Sequence, residues 1–329
     1  MSETRRSPEI DALKVAGIVT VVLIHTMRAP WDPAVAPLEV WIGHATRFGV
    51  PAFLFASGFL YATASPVLFS TTRGRLQRIL LPYLVASLAA QLFRRVWDHP
   101  DGTGSIGLDL LIGASFGPYY YVFVIALLVI ATPLFAALSR RAMLALLLVF
   151  IAAQWATEVR LFGLFELRWQ IRSPTLWWGH FLLGWCVRLH EDALRRAIAA
   201  HRSALLAVLG SAAALLTATS ALEGSAPGLL VRSAAWLDIY AILGLVFVLA
   251  TRTRGVPSWL RFVSDASYAL YLFHLFFLIP AKSWFPPPEN AVSWEAILIP
   301  WAIGLALPIA LVATGRALLG SRSRSVIGA

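Results

Sequence analysis

About ten stretches of roughly 17–25 predominantly apolar residues recur along the chain, near 12–28, 39–63, 77–95, 118–138, 142–157, 175–190, 203–220, 233–251, 263–281 and 294–316. Each has the length a helix needs to cross the hydrocarbon core of a bilayer. Backbone groups in lipid must be satisfied within the segment, so runs of this length are expected to be helices. Composition agrees: 59% of the residues are hydrophobic and only 13% charged, whereas soluble domains carry about 25% charged residues. That balance excludes a disordered chain and argues against a soluble globule. The expectation is an all-α, polytopic integral membrane bundle of about ten transmembrane helices. No repeat, low-complexity tract or soluble module interrupts it, so residues 1–329 are read as one transmembrane domain. Gly104 to Ser115 is apolar but short, as a re-entrant or interfacial piece would be.

A net charge of +10 would suggest nucleic acid in a soluble protein, so placement decides its meaning. The N-terminal segment (Arg5, Arg6, Lys14), the loops around Arg73–Arg78, Arg140–Arg141, Arg188–Arg202 and Arg252–Arg261, and the tail from Arg316 carry 18 of the 27 basic residues. The opposite loops carry the remaining 9, counting Arg47 inside a span. The positive-inside rule then puts both termini in the cytoplasm and accounts for the basic chain without nucleic acid. Trp41, Trp97, Trp236, Trp259, Trp284 and Trp294 fall near span ends, as interfacial belts require. The first apolar run follows Arg5, Arg6, Glu9 and Asp11 and lacks a small-residue cleavage site, so it is expected to be a retained span. Cys186 is the only cysteine, which leaves no disulfide framework or CxxC metal site.

Titratable side chains inside spans are costly and tend to mark pathways or reaction sites. His25 lies ~20 Å along the first span from Ala12. Counting inward from the outer ends of their spans, His44, Arg47, His180 and Asp238 share its outer layer, with Glu158 at an outer end and His274 about 17 Å into the ninth span. Interhelical hydrogen bonding alone is the competing reading for each. At the cytoplasmic end, Ser57-Gly58 closes the second apolar segment and Arg75-Leu76-Gln77-Arg78 opens the third. Those arginines are one turn apart, where phosphates could be gripped, although ordinary positive-inside charge gives the same pattern.

Four blocks carry a resemblance. Ile10-Asp11-Ala12-Leu13-Lys14, followed ten residues later by His25, resembles the opening of acyltransferase family 3, the bacterial multi-span O-acyltransferases. Phe55-Ala56-Ser57-Gly58-Phe59-Leu60 is similar to its S-G-F motif, and Arg75-Leu76-Gln77-Arg78 with Pro82-Tyr83 to its R-x-x-R…P-x-Y. Ser267-Tyr268-Ala269-Leu270-Tyr271-Leu272-Phe273-His274 is similar to its S-Y-x-L-Y-L-x-H. The blocks occur in the family's order over residues 10 to 280. Lys14 departs from the family's arginine, keeping the charge but losing the planar fork. Some relatives carry a soluble hydrolase-like domain after the last span; this chain is expected to be the form without one.

The resemblance implies acyl-CoA, acetyl-CoA by default, as a co-substrate on the cytoplasmic side, with no tightly bound cofactor and no metal. It further implies a sugar hydroxyl as acceptor and His25 as the catalytic group. Acyl transfer from a thioester to an alcohol needs a base for the hydroxyl proton and an electropositive seat for the CoA phosphates. Lys14, Ser57, Gly58, Arg75 and Arg78 are therefore expected at the donor, and His25 as general base. Tyr119, Tyr120, Glu158, Asp238, Tyr268, Tyr271 and His274 are expected at the acceptor or beside the groups that touch it. Whether Asp238 or Glu158 orients His25 is open, as is an acyl-histidine intermediate. The acceptor is expected to be a cell-surface or exported glycan, free or lipid-linked, met at the bacterial cytoplasmic membrane. A small secondary metabolite such as a macrolide sugar is the alternative. A secondary transporter or lipid flippase, with the same buried groups as relays, is the rival of another class.

Overall fold

The computed structural model describes residues 6–28, 35–63, 67–97, 101–160, 167–222, 228–251, 256–288 and 292–329. Arg5, Arg252 and Arg254 lie outside the described residues. Among the described residues all regular structure is helical, in the order α1 (Pro8–Ile24), α2 (Pro37–Thr46), α3 (Gly49–Tyr61), α4 (Phe69–Trp97), α5 (Ile106–Ile112), α6 (Tyr120–Ala137) and α7 (Arg140–Glu158). It continues with α8 (Leu167–Gln170), α9 (Pro174–Leu189), α10 (Glu191–Ser220), α11 (Leu229–Ala250), α12 (Ser258–Trp284), α13 (Trp294–Leu319) and α14 (Ser323–Val326). Seven are long and apolar enough to cross a membrane: α4, α6 with its preceding 3-10 turn, α7, α10, α11, α12 and α13. The expected spans near 12–28, 39–63 and 175–190 hold the shorter helices α1, α3 and α9. On α4 the leucines at 81, 84, 88 and 92 form one outward stripe, with Leu92 67% exposed. An unbroken apolar face of this kind suits contact with lipid.

Two departures from simple spans shape the interior. The second apolar segment is not one helix: α2 stops at Thr46 and α3 begins at Gly49. Pro51 falls in the first turn of α3, where its missing N–H costs no intrahelical bond, whereas Pro82, Pro133, Pro280, Pro300 and Pro308 are carried inside continuous helices. The first segment is helical only to Ile24, where the Thr26 N–H and hydroxyl both donate to the Leu23 carbonyl, at 3.0 and 2.7 Å. His25 therefore stands just past a helix end.

The bundle is built around α1, which packs on α3, α11, α12 and α13. Its start is pinned: the Arg6 guanidinium bonds Asp11 at 2.5 and 3.0 Å and Asp265 at 3.0 Å, and the Ser264 hydroxyl donates to Asp11 at 2.6 Å. Glu9 accepts from Arg195 at 2.5 Å, joining α1 to α10. α3 and α9 cross most intimately. A Cβ on Gly58 would run into the Phe181 carbonyl oxygen, and one on Gly184 into the Phe55 carbonyl oxygen. Close backbone approach at paired small residues is how helices associate where lipid removes any hydrophobic drive.

Candidate active site

Two cavities lie end to end along the same helices. One, of about 230 Å³, opens at the end of the bundle where α1 begins and is bordered by Lys14, Ser57, Tyr61, Arg78, Tyr121 and Tyr268. The other, of about 680 Å³, lies toward the opposite end and is bordered by His25, Arg47, Tyr120, Gln154, His180 and Leu275, among others. α1 supplies Lys14 to the first and Val21 and His25 to the second, and α3, α6 and α12 likewise run past both. Hereafter these are the near and far cavities. Lys14 and His25 are about 16 Å apart along α1 at its rise per residue.

In the far cavity the His25 ring sits 5.4 Å from that of His274 on α12, centroid to centroid. His274 Nδ1 is 2.7 Å from the Tyr271 carbonyl oxygen. A carbonyl only accepts, so the neutral His274 ring carries its hydrogen on Nδ1 and presents a basic Nε2. That nitrogen is fully buried and has no hydrogen-bond partner. The Lys282 ammonium donates to the His25 main-chain carbonyl at 2.9 Å, fixing the frayed end of α1 against α12.

The facing wall is polar. Arg47 and Glu158 pair at 3.2 Å. The Tyr240 hydroxyl donates to Gln154 Oε1 at 2.6 Å, and Gln154 Nε2 lies 2.7 Å from His180 Nε2. In this orientation the amide donates to the imidazole, so His180 holds its hydrogen on Nδ1, a buried nitrogen without a partner. Tyr120 stacks on Trp177 with ring centroids 5.4 Å apart, and both rings border the cavity.

The near cavity has ionic character. Lys14, Arg78 and Asp265 all border it. Arg75 lies behind this wall with its guanidinium 4.5 Å over the Tyr61 ring, and its buried Nη1 makes no hydrogen bond. Ser57 borders the cavity, whereas Gly58 is turned to α9 and gives close approach to a helix. The Tyr268 hydroxyl donates to the Ile79 carbonyl at 2.7 Å while its side chain borders the same cavity.

The structure thus brings Lys14, Ser57, Arg78, Tyr268 and Tyr271 together at one cavity, and His25, Tyr120, Glu158, Tyr271 and His274 at or beside the other. Tyr119 lies outside both, fully buried, its hydroxyl donating to the Leu272 carbonyl at 2.5 Å. Asp238 also borders neither; it accepts from the Thr217 hydroxyl at 2.8 and 3.0 Å across the α10–α11 contact. No hydrogen bond joins Asp238 or Glu158 to His25 among the described residues. Gln154 and Lys282 were not singled out from sequence. Gln154 carries no charge to mark it, and Lys282 at a span end looks like an ordinary interfacial cation.

Among the described residues no three His, Cys, Asp or Glu side chains gather as metal ligands would. No curated protein and no solved structure matches the chain. A family model described as an acyltransferase domain matches residues 7–314 of the 329, nearly the whole chain and every motif that borders the two cavities. With the helical bundle, the two cavities and this match in hand, the chain belongs to acyltransferase family 3.

Proposed function

We propose that this membrane acyltransferase moves an acyl group, acetyl by default, from acyl-CoA at the near cavity to a hydroxyl of a cell-surface or exported glycan at the far cavity. The setting is the bacterial cytoplasmic membrane, with the near cavity on the cytoplasmic side. The arrangement of the cavities carries this reading: Lys14 at the cationic mouth and His25 of the imidazole pair stand about 16 Å apart along α1 and its end, a span suited to the extended arm of a CoA thioester. Lys14 and Arg78 border the mouth and the unbonded Nη1 of Arg75 lies behind it, which suits a polyanionic donor.

In the reaction His25 takes the acceptor's hydroxyl proton as the oxygen attacks the thioester carbonyl. The carbon–sulfur bond breaks, the imidazolium returns the proton to the departing thiolate, and CoA leaves as the thiol. His274, held by the Tyr271 carbonyl, keeps a neutral imidazole facing His25. The aromatic pair Tyr120 and Trp177 and the donors on Gln154 and His180 give the far cavity groups that suit a neutral sugar ring.

The test uses nanodisc-embedded protein and radiolabelled acetyl-CoA, following CoA release with and without candidate glycans. Wild type, His25→Ala and the Arg75→Ala/Arg78→Ala double variant are compared. Release that requires His25 and weakens in donor affinity in the double variant supports the proposal. Absence of CoA release with any acyl donor overturns it, and proton-coupled uptake into vesicles would then favour a transporter.

A further inference from the structure

Among the described residues only Tyr271 borders both cavities. The residue is 1% exposed, buried between the two. Phe53 and Tyr121 hold its ring edge-on, with centroids 6.2 and 5.1 Å away, and its hydroxyl donates to the Pro118 carbonyl ahead of α6. Its main-chain carbonyl accepts from His274, so the residue that separates the cavities also anchors the imidazole beside His25.

We propose that Tyr271 is the partition between the donor and acceptor cavities, and that the passage at its ring sets the size of the acyl group that crosses. The proposal rests on the reading of the near cavity as the donor side. The far cavity, about 680 Å³ and walled partly by Leu275 and Leu278, has room for much more than an acetyl group. The far cavity itself would therefore not exclude longer chains, which leaves the passage at Tyr271 as the place where chain length would be selected. A tyrosine ring can leave that passage by changing rotamer without moving the helix. In place, it keeps water on the donor side away from His25, where water would otherwise compete with the acceptor and release the acyl group as a free acid, with CoA leaving as the thiol.

Two measurements test this. In the first, acetyl-, butyryl- and isovaleryl-CoA are offered to wild type, Tyr271→Ala and Tyr271→Phe, with and without acceptor. Tyr271→Ala is expected to raise the turnover of the longer donors relative to acetyl at least tenfold and to increase acceptor-independent hydrolysis. Tyr271→Phe keeps the ring and is expected to keep the donor preference. In the second, Leu275→Cys is placed in a Cys186→Ala background in proteoliposomes, and a membrane-impermeant thiol reagent is added on the Lys14 side. Labelling is expected to speed up at least tenfold when Tyr271 becomes Ala, or Leu where the Ala variant does not fold. Unchanged labelling overturns the partition, and faster labelling with unchanged donor preference overturns its role in selection. A wild type without acyl-CoA turnover counts against the proposed function, while the labelling still decides the partition.

Discussion

The two ends of the bundle handle polarity in opposite ways. At the near cavity Arg78 and Asp265 are exposed and Lys14 half-buried, so formal charges stand at a mouth open to solvent and to salt. In the far cavity each charged group has a partner in the protein, Arg47 in Glu158, Lys282 in the His25 main-chain carbonyl and Asp101 in the Gly117 N–H, and beside them stand imidazoles, an amide and aromatic rings. Exposed charge attracts an ionic ligand from a distance and is screened by ions. Charges already paired within the protein, with neutral imidazoles and an amide beside them, instead position a proton without leaving a bare buried charge. The contrast suits a donor whose affinity is electrostatic and a reaction that depends on geometry.

If the division holds, a change at one end leaves the other end's property intact. The largest effect is expected from His25→Ala, which should lower turnover on the order of 10²–10⁴-fold; acyl-CoA binding measured by filter assay should remain at the wild-type level. Arg75→Ala/Arg78→Ala should do the reverse, weakening donor affinity about 10–100-fold through lost charge-assisted bonds, with turnover at saturating donor close to wild type. The donor dissociation constant of that variant should also lose most of its dependence on ionic strength. Gln154→Leu removes two uncharged bonds, one to His180 and one from the Tyr240 hydroxyl, and should raise the acceptor KM by about 3–10-fold, with no change in donor affinity.

The smallest effect on activity is expected outside both cavities, at Asp109 in the short helix α5. Burial would raise its carboxyl, but bonds from Gln91, Thr103 and Arg94 outweigh that and hold it below the ordinary value. A carboxyl with a depressed folded-state pKa stabilises the fold above its unfolded value, about pH 4, and that contribution is lost as the pH falls toward the folded value. Asp109→Ala should therefore lower stability near neutral pH by about 3 kcal/mol. In thermal melts, the difference from wild type should shrink below about pH 4.

The apolar runs made the helical bundle legible, because in lipid their length leaves the backbone no other way to satisfy itself. The interruptions were harder to see. Pro51 sits within an unbroken apolar segment, and because Pro82, Pro133, Pro280, Pro300 and Pro308 stand inside continuous helices, a proline in the sequence does not by itself mark a break. The motif residues were legible as positions rather than as partners. Asp11, part of the opening block, proves to be the staple that ties α1 to Arg6 and Ser264. His25 finds its neighbour in His274, 249 positions further along the chain, rather than in a carboxylate. A span-by-span depth count places groups in the same layer, but it carries no azimuth. It therefore could not tell that Asp238 turns to α10 while His180 turns to the cavity.

Many polar side chains here bond to main-chain carbonyls: Lys282 to that of His25, Tyr119 to that of Leu272, Tyr268 to that of Ile79, and Arg172 to those of Ile112 and Gly113. Such acceptors survive any replacement of the side chain on the residue that owns them. Genetic scanning would register Lys282 as sensitive while treating residue 25 as dispensable for that contact. Removing the His25 imidazole therefore leaves the tether between α1 and α12 in place, which makes an alanine there a clean chemical knock-out instead of an architectural one.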